Sequence, residues 1–353
     1  MESISKRVNN LTMQAEVFSV DPPITDKTPI NIDISSYCNQ KCIYCLHHHL
    51  GEHENGRFID EALFYRIAKE AFDLGVREIG LYSSGEPLTN PRIYEYISFL
   101  KKLGYTYVFI STNGLLCTPE NLEKLVTSGI DSIKFSISAA SKESFFAHHG
   151  VEGFDRVYEN LKNTWTYRNA HKLKYRIFIY SAITRQNVAE LPRMKELYEP
   201  YCDEYMQNKM TNPLNMLDGC KMLYNETDIT GELNYYKPTA PCPLLFRKIY
   251  VSAEGNLCIC PDTLTSVNAI ATSIADLNEM SLKDAYHSKA FKTLRDKHLS
   301  GNIENTICNR CINGVRETMF SIRSCGLDEP FTMDDIDIST DIDFAFPGKA
   351  HRN

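Results

Sequence analysis

Three cysteines, Cys38, Cys42 and Cys45, stand at a three-then-two spacing directly behind Asn31-Ile-Asp-Ile, a short run of alternating polar and apolar residues. Thiolates this close together can share one iron–sulfur cluster, and with no fourth cysteine in the loop one iron stays open to a ligand from outside the protein. A tetrahedral zinc site instead wants a fourth protein ligand, which His47, His48 or His49 could supply. On the residues of this loop alone both chemistries are open.

The chain holds twelve cysteines, and they segregate. Beyond the three in the loop, Cys242, Cys258, Cys260, Cys308, Cys311 and Cys325 fall in the last third, with only Cys117, Cys202 and Cys220 between. That distribution suggests two metal or cluster sites, one near each end. The N-terminal stretch Met1-Glu-Ser-Ile-Ser-Lys-Arg lacks the apolar core of a signal peptide. No apolar run reaches the roughly 18 residues of a membrane span. A cytoplasmic location is therefore expected, where thiols stay reduced and a disulfide framework is not. The net charge of −7 argues against nucleic acid as a partner. With 353 residues, 43% hydrophobic and 24% charged, the chain can build a large α/β domain with a smaller appendage.

The elements that must position the cysteines follow in order. Residues 1–28 read as an irregular lead-in. A first strand over Pro29–Ile34 feeds the cysteine loop. Asp60 caps a helix over Glu61–Leu74 that Gly75 stops, and Arg77–Tyr82 is a second strand. Asn90-Pro91 opens a helix to about Leu103, Tyr105–Ser111 is a third strand, and Thr118-Pro119-Glu120 opens a helix ending near Gly129. Ser132–Ile137 (strand), Phe154–Arg168 (helix), Tyr175–Ile183 (strand) and Val188–Tyr201 (helix) continue the rhythm. Strands alternating with helices imply a parallel sheet with right-handed crossovers, closed or partly open. In such folds the working loops lie at the carboxyl ends of the strands. The cysteine loop, Ser84–Pro87, Thr112–Gly114 and Ser138–Ser141 each follow a strand and should converge on one rim.

After about residue 204 the rhythm breaks, and 205–240 reads as a bridging segment. Lys248–Ser252 and Asn256–Ile259 flank Glu254-Gly255, a hairpin signal, and Ser281-Leu-Lys-Asp284 resembles the start of a helix to about His298. Residues 241–327 form the cysteine-rich unit. The tail 328–353 begins with seven acidic and no basic residues between Asp328 and Asp343, the composition of a solvated segment.

The cysteine loop behind a first strand, Tyr44 immediately before its last cysteine, the repeated βα units and Ser84-Gly85-Glu86-Pro87 after the second strand together resemble the radical S-adenosylmethionine (radical SAM) enzymes, over roughly residues 29–200. The resemblance implies a partial (β/α)6 barrel around a [4Fe–4S] cluster on Cys38, Cys42 and Cys45. The open iron of that cluster chelates the amino and carboxylate groups of S-adenosylmethionine. Reductive cleavage of the cofactor then yields a 5′-deoxyadenosyl radical that abstracts a substrate hydrogen. Ser84, Gly85, Glu86 and Pro87 match the family's GGEP segment, which holds the cofactor's amino group, with serine for the first glycine. Ser111 and Asn113 match a strand-end Ser-x-Asn-Gly, and Ser136 falls where the family often places a ribose-binding serine. Where many relatives carry an arginine before glycine to pair with the cofactor carboxylate, this chain has His148-His149-Gly150. His149 is the substitute expected there, a weaker and pH-dependent anion partner.

The C-terminal cysteines resemble the auxiliary-cluster domains called SPASM and twitch. Their spacing is similar to the single-cluster form in 2-deoxy-scyllo-inosamine dehydrogenase. The implied ligands of an auxiliary [4Fe–4S] cluster are Cys242, Cys260, Cys308 and Cys311. Cys258 competes with Cys260 unless the hairpin bulges, zinc is the alternative occupant of the four, and Cys325 is left over for a second cluster.

Plainer readings stand beside these. His47–His49 serve as loop residues or contact substrate or cluster. Cys117, Cys202 and Cys220 are inert buried thiols or a hydrogen-atom donor. Tyr235, Tyr236 and Tyr250 pack, and Asp218, Glu226 and Asp228 solvate the bridge or reach the barrel mouth. The function expected is dehydrogenation of a sugar- or aminocyclitol-type molecule, the auxiliary cluster taking the electron. Maturation or epimerisation of a ribosomally made peptide is the alternative; only 28 residues precede the first strand, where many such enzymes carry a leader-binding domain. A non-catalytic iron–sulfur or zinc sensor is a third class, against which the SGEP and Ser136 positions count. The partners implied are a small-molecule or peptide substrate and a reductant such as flavodoxin or ferredoxin, with no nucleic acid and no membrane.

Overall fold

Strict alternation along the strands decides the architecture, because successive side chains of a strand point to opposite faces. In the computed structural model, which describes residues 18–49, 56–184, 187–209, 240–261, 273–309 and 312, one face of the sheet is aliphatic. Ile30, Ile32, Ile79, Val108, Ile110, Ile133, Ile177 and Ile179 on that face are fully buried, in one apolar core shared with the helices. The opposite face carries Asn31, Phe109, Ser111, Lys134, Ser136, Phe178 and Tyr180, polar and aromatic side chains that line a lumen.

The strands are β1 (Ile30–Ile32), β2 (Glu78–Gly80), β3 (Tyr107–Thr112), β4 (Ser132–Ser136), β5 (Arg176–Ile183) and β6 (Glu204–Lys209). They lie side by side in chain order and all parallel. The helices between them are α1 (Leu46–His49), α2 (Glu61–Asp73), α3 (Ile93–Leu103), α4 (Pro119–Ser128), α5 (Lys142–His149), α6 (Phe154–Ala170) and α7 (Leu191–Tyr198). This is the partial (β/α)6 barrel expected from the sequence. Helix signals act locally: Asp60 accepts a hydrogen bond from Leu63 N–H at 2.9 Å to start α2, and Thr118 caps α4 through Asn121 N–H.

The C-terminal part extends the same sheet. After α8 (Pro243–Arg247), β7 (Ile249–Val251) pairs in parallel with the free side of β1, and β8 (Asn256–Cys258) and β9 (Ser273–Asp276) follow antiparallel. The hairpin of β7 and β8 is the one signalled by Glu254-Gly255, with Gly255 at a φ of +90°. Helices α9 (Leu282–Tyr286), α10 (Lys289–Leu299) and α11 (Ile307–Asn309) complete it.

Four features differ from the sequence expectation. The sixth strand, β6, occupies Glu204–Lys209, the start of the stretch assigned to the bridge; Glu, Gln, Asn and Lys give it no apolar alternation. Helix α5 was not anticipated, because it buries Phe145, His148 and His149 while Phe146 is exposed, so no aliphatic stripe marks it. The helix expected from Ser281 to about His298 is two, with Ser288 capping the second through Phe291 N–H at 3.3 Å. Strand β9 was also missed. Cys220, Cys311, Cys325, Asp218, Glu226, Asp228, Tyr235, Tyr236 and the acidic tail lie outside the described residues. No helix among those described is long and apolar enough to cross a membrane.

Candidate active site

The loop after β1 is held by backbone from two directions. Glu86 N–H donates to Tyr37 O at 2.7 Å, from the loop after β2. At the C-terminal end of α5 two carbonyls accept from the loop: His149 O from Lys41 N–H at 2.9 Å and His148 O from Ile43 N–H at 3.0 Å. The approach is so close that two positions admit no side chain. A Cβ at Gly85 would lie 2.3 Å from Ser35 O and 2.5 Å from Tyr37 O, and one at Gly150, which has a φ of +65°, 2.5 Å from Lys41 O. SGEP is thus a packing surface for the cysteine loop.

The rest of that segment is braced from below. Ser84 donates through both its N–H (3.2 Å) and its hydroxyl to Asp33 Oδ2, so a hydroxyl at the first position of SGEP has a built partner at the end of β1. Burial pushes Asp33 upward from its ordinary carboxyl range, against the Ser84 hydrogen bonds. Glu86 accepts from Leu88 N–H at 3.1 Å, Thr112 Oγ1–H at 2.8 Å and Asn113 N–H at 2.7 Å, which ties the β2 and β3 loops together. Burial raises the Glu86 carboxyl to about 7 in spite of those donors. Glu86→Gln would turn an NH2 toward one of these donors, so we expect a lower urea midpoint, with a loss of about 1–3 kcal/mol, the cost of an unsatisfied buried donor.

Around the three thiols each neighbour is polar and close. Asn113 Nδ2 lies 4.0 Å from Cys38 Sγ and donates to Asn39 Oδ1 at 2.7 Å. Cys42 Sγ stands 3.4 Å from Gln40 Oε1 and 3.3 Å from His149 Nδ1. Gln40 Nε2 is buried with no acceptor among the described residues, a donor left facing the loop. Burial, with Cys45 as the next cause, raises Cys38 to about 12 and Cys42 well above its ordinary value. Thiols so disposed take up metal by losing protons, the usual coupling of ligation to pH.

The donor set fits a cluster better than a single ion. Among the described residues no three His, Cys, Asp or Glu side chains gather closely enough to hold one metal ion. His47 is buried and donates through Nε2 to Ser36 O, away from the thiols. A cluster that offers a separate iron to each thiolate needs no such gathering.

Tyr44 donates to Ser138 Oγ at 3.3 Å, and Ser138 also accepts from Ala182 N–H at 3.0 Å. Ser138 N–H donates to His149 Nε2 at 3.2 Å. Since a backbone N–H can only donate, Nε2 carries no proton and Nδ1 does. His149 is therefore a neutral donor toward Cys42, its pKa brought down to about 3 by burial and by His148. Both of its ring nitrogens are thus engaged, by Cys42 and by Ser138. Ser111 and Ser136 sit half-buried on the lumen face of β3 and β4, on the side where the cysteine loop lies. What sequence reading missed here is α5; the Ser141 cap was the signal available, since it bonds Ser144 N–H at 3.1 Å.

At the other end, Cys242 caps α8 and its N–H donates to His298 Nδ1 at 3.2 Å, Cys260 follows β8, and Cys308 is buried on α11. Cys260 and Cys308 belong to the main core, whereas Cys258 packs with Tyr250 and Leu244 on the lumen face. The register of β8 against β9 shifts between Leu257 and Cys258, the irregularity that the sequence required for separating Cys258 from Cys260. Cys117 is buried against Thr164, an inert setting, and Cys202 is half-buried at the start of β6. None of the nine described cysteines is in a disulfide.

The radical SAM superfamily model matches residues 32–193, and the model of the iron–sulfur cluster-binding domain SPASM matches 242–312. A probable GTP 3′,8-cyclase of Saccharolobus islandicus is 34% identical over 134 residues, 38% of this chain and 42% of that protein. The chain thus spans about two-fifths of the length of such curated relatives. Among solved structures, Streptococcus suis SuiB bound to the precursor peptide SuiA aligns with a TM-score of 0.62 at 17% identity, over 82% of this chain and 69% of that one. BtrN in complex with AdoMet and 2-DOIA aligns with a TM-score of 0.50 at 16% identity, over 81% and 92%. At such identities these two show the shared fold. With both family models matched in this order, the chain belongs to the radical SAM superfamily and bears a SPASM-type iron–sulfur domain after its barrel.

Proposed function

We propose that this protein is a radical oxidoreductase that dehydrogenates a sugar- or aminocyclitol-type alcohol in the barrel lumen. The observation that carries the reading is the pairing of β7 with β1: the unit bearing Cys242, Cys260 and Cys308 is annealed to the strand that leads into Cys38–Cys45. An electron acceptor there would share one rigid sheet with the radical-generating site. Cys38, Cys42 and Cys45 would hold the cluster, which when bound would supply the one-electron reductive cleavage of S-adenosylmethionine and so the abstraction of the carbinol hydrogen. The distal cysteines would hold an auxiliary cluster able to take up the substrate's second electron, the hydroxyl proton going to water as the alcohol becomes a carbonyl.

The residues' part is positional. Gly85 and Gly150 let two backbones clamp the cysteine loop, Ser84 to Pro87 with Asn113 and Ser136 line the rim offered to the cofactor, and the aromatic lumen excludes water. Auxiliary ligation by Cys242, Cys260, Cys308 and Cys311 is part of the same proposal. Anaerobic reconstitution tests it: about eight irons, matching two [4Fe–4S] clusters, should accompany reductive release of 5′-deoxyadenosine. About four irons with zinc at the distal cysteines would remove the redox role of the C-terminal unit. Peptide maturation is the second reading, favoured by the alignment with SuiB, solved bound to its precursor peptide.

We assign His149 to Cys42 within this scheme. A hydrogen bond to a ligating sulfur stabilises the reduced, more negative cluster and raises its potential. His149→Phe keeps a ring against Phe145 and Tyr44 but removes Nδ1–H. The midpoint, followed by EPR in a potentiometric titration, should move negative by tens of millivolts, where about 59 mV is a tenfold change for one electron. An unchanged midpoint would sink the assignment.

A further inference from the structure

Lys134 is one of several charged side chains that face the lumen. It stands at the centre of β4, one pleat before Ser136 and in register with Ser111 on β3 and Phe178 on β5. It enters no ion pair among the described residues, whereas Arg176, farther toward the start of its strand, has Asp203 at 4.0 Å. Asp33, on the same face, is occupied by Ser84. What Lys134 meets instead is aromatic: its Nζ is 4.8 Å from the centre of the Tyr82 ring, with whose hydroxyl it also hydrogen-bonds, and 5.6 Å from the centre of the Tyr180 ring. A ring face attracts an ammonium, but far less than an oxyanion does. The surroundings feel the cation. Burial alone would push the Tyr82 phenol up, yet Lys134 and then Lys248 outweigh it and bring the group down to about 8.

We propose that Lys134, between Tyr82 and Tyr180, is an oxyanion subsite of the lumen and that the substrate is a polyol bearing a phosphate or carboxylate. This rests on the reading that the substrate alcohol reacts in the lumen, and it narrows that reading from neutral or cationic sugars to acidic ones. The placement favours substrate over the cofactor's own carboxylate. A cofactor held by Cys38–Cys45 would lie at the rim, while Lys134 lies about 6.6 Å deeper than Ser136 along the strand, two residues at about 3.3 Å each.

The test uses reconstituted protein saturated with S-adenosylmethionine and inorganic phosphate as the probe, followed by equilibrium dialysis. Wild type should bind one equivalent, Lys134→Met at least tenfold more weakly, and Lys134→Arg near wild type, all at equal iron content. Should Lys134→Met load less iron, Lys134→Gln is read in its place. Equal binding by wild type and the neutral variant, or none by either, overturns the subsite. If the neutral variant instead weakens S-adenosylmethionine tenfold and the cofactor excludes phosphate, Lys134 serves the cofactor and the substrate assignment falls. Release of 5′-deoxyadenosine by the same wild-type sample is scored separately. Its absence removes the radical reading whatever phosphate does.

Discussion

A Cys42→Ala protein is expected to release no 5′-deoxyadenosine above background from S-adenosylmethionine and dithionite. It should nevertheless retain about four irons at the distal cysteines. Cys42 is the thiol with the most support, flanked by Gln40 and His149, and an alanine there leaves one iron without its ligand. His47, one of the histidines beside the loop, is turned to Ser36 O. Cys258→Ala supplies the contrast: its sulfur packs with Tyr250 and Leu244 on the lumen face, so iron content should not change. The pair of variants, read by iron assay and product chromatography, separates ligating from merely buried cysteine. Cleavage by the Cys42 variant would overturn the cluster assignment.

Gly85→Ala should have the largest effect on the folded state. Ordinary overpacking costs about 1–3 kcal/mol because flexible side chains move aside. Here the new methyl would meet Ser35 O, Ser36 C and Tyr37 O, all backbone, at 2.3 to 2.7 Å. Neither wall can yield without breaking the Glu86 N–H to Tyr37 O bond that pins the cysteine loop. A loss of at least about 3 kcal/mol, the top of that range, is expected in urea unfolding, together with poor iron loading. A variant that unfolds and loads like wild type would show that the two loops are not packed as described.

Much of this was legible because it is local. Strand alternation, the caps at Asp60 and Thr118 and the hairpin at Glu254-Gly255 depend on neighbours within a few residues, so the chain announces them. The motif cysteines are legible for the same reason, since cluster ligation demands a short spacing. Strand β6 was not, because Glu204, Gln207, Asn208 and Lys209 leave it without the apolar alternation that marks a strand. Helix α5 was not, because histidines fill the face that aliphatics usually mark.

Sequence by itself determined the βα order, the two groups of cysteines and the family to which the loop belongs. It left open what His149 faces and which way Cys258 and Cys260 point. Tertiary structure decided the direction of each of those side chains. His149 is 107 positions from Cys42, and only the docking of α5 under the cysteine loop turns its Nδ1–H to that sulfur. The same holds for Ser84, whose hydroxyl reads as a small departure from a glycine motif until β1 brings Asp33 beneath it, 51 positions away. Contacts across such separations are set by packing geometry, which local propensity does not encode.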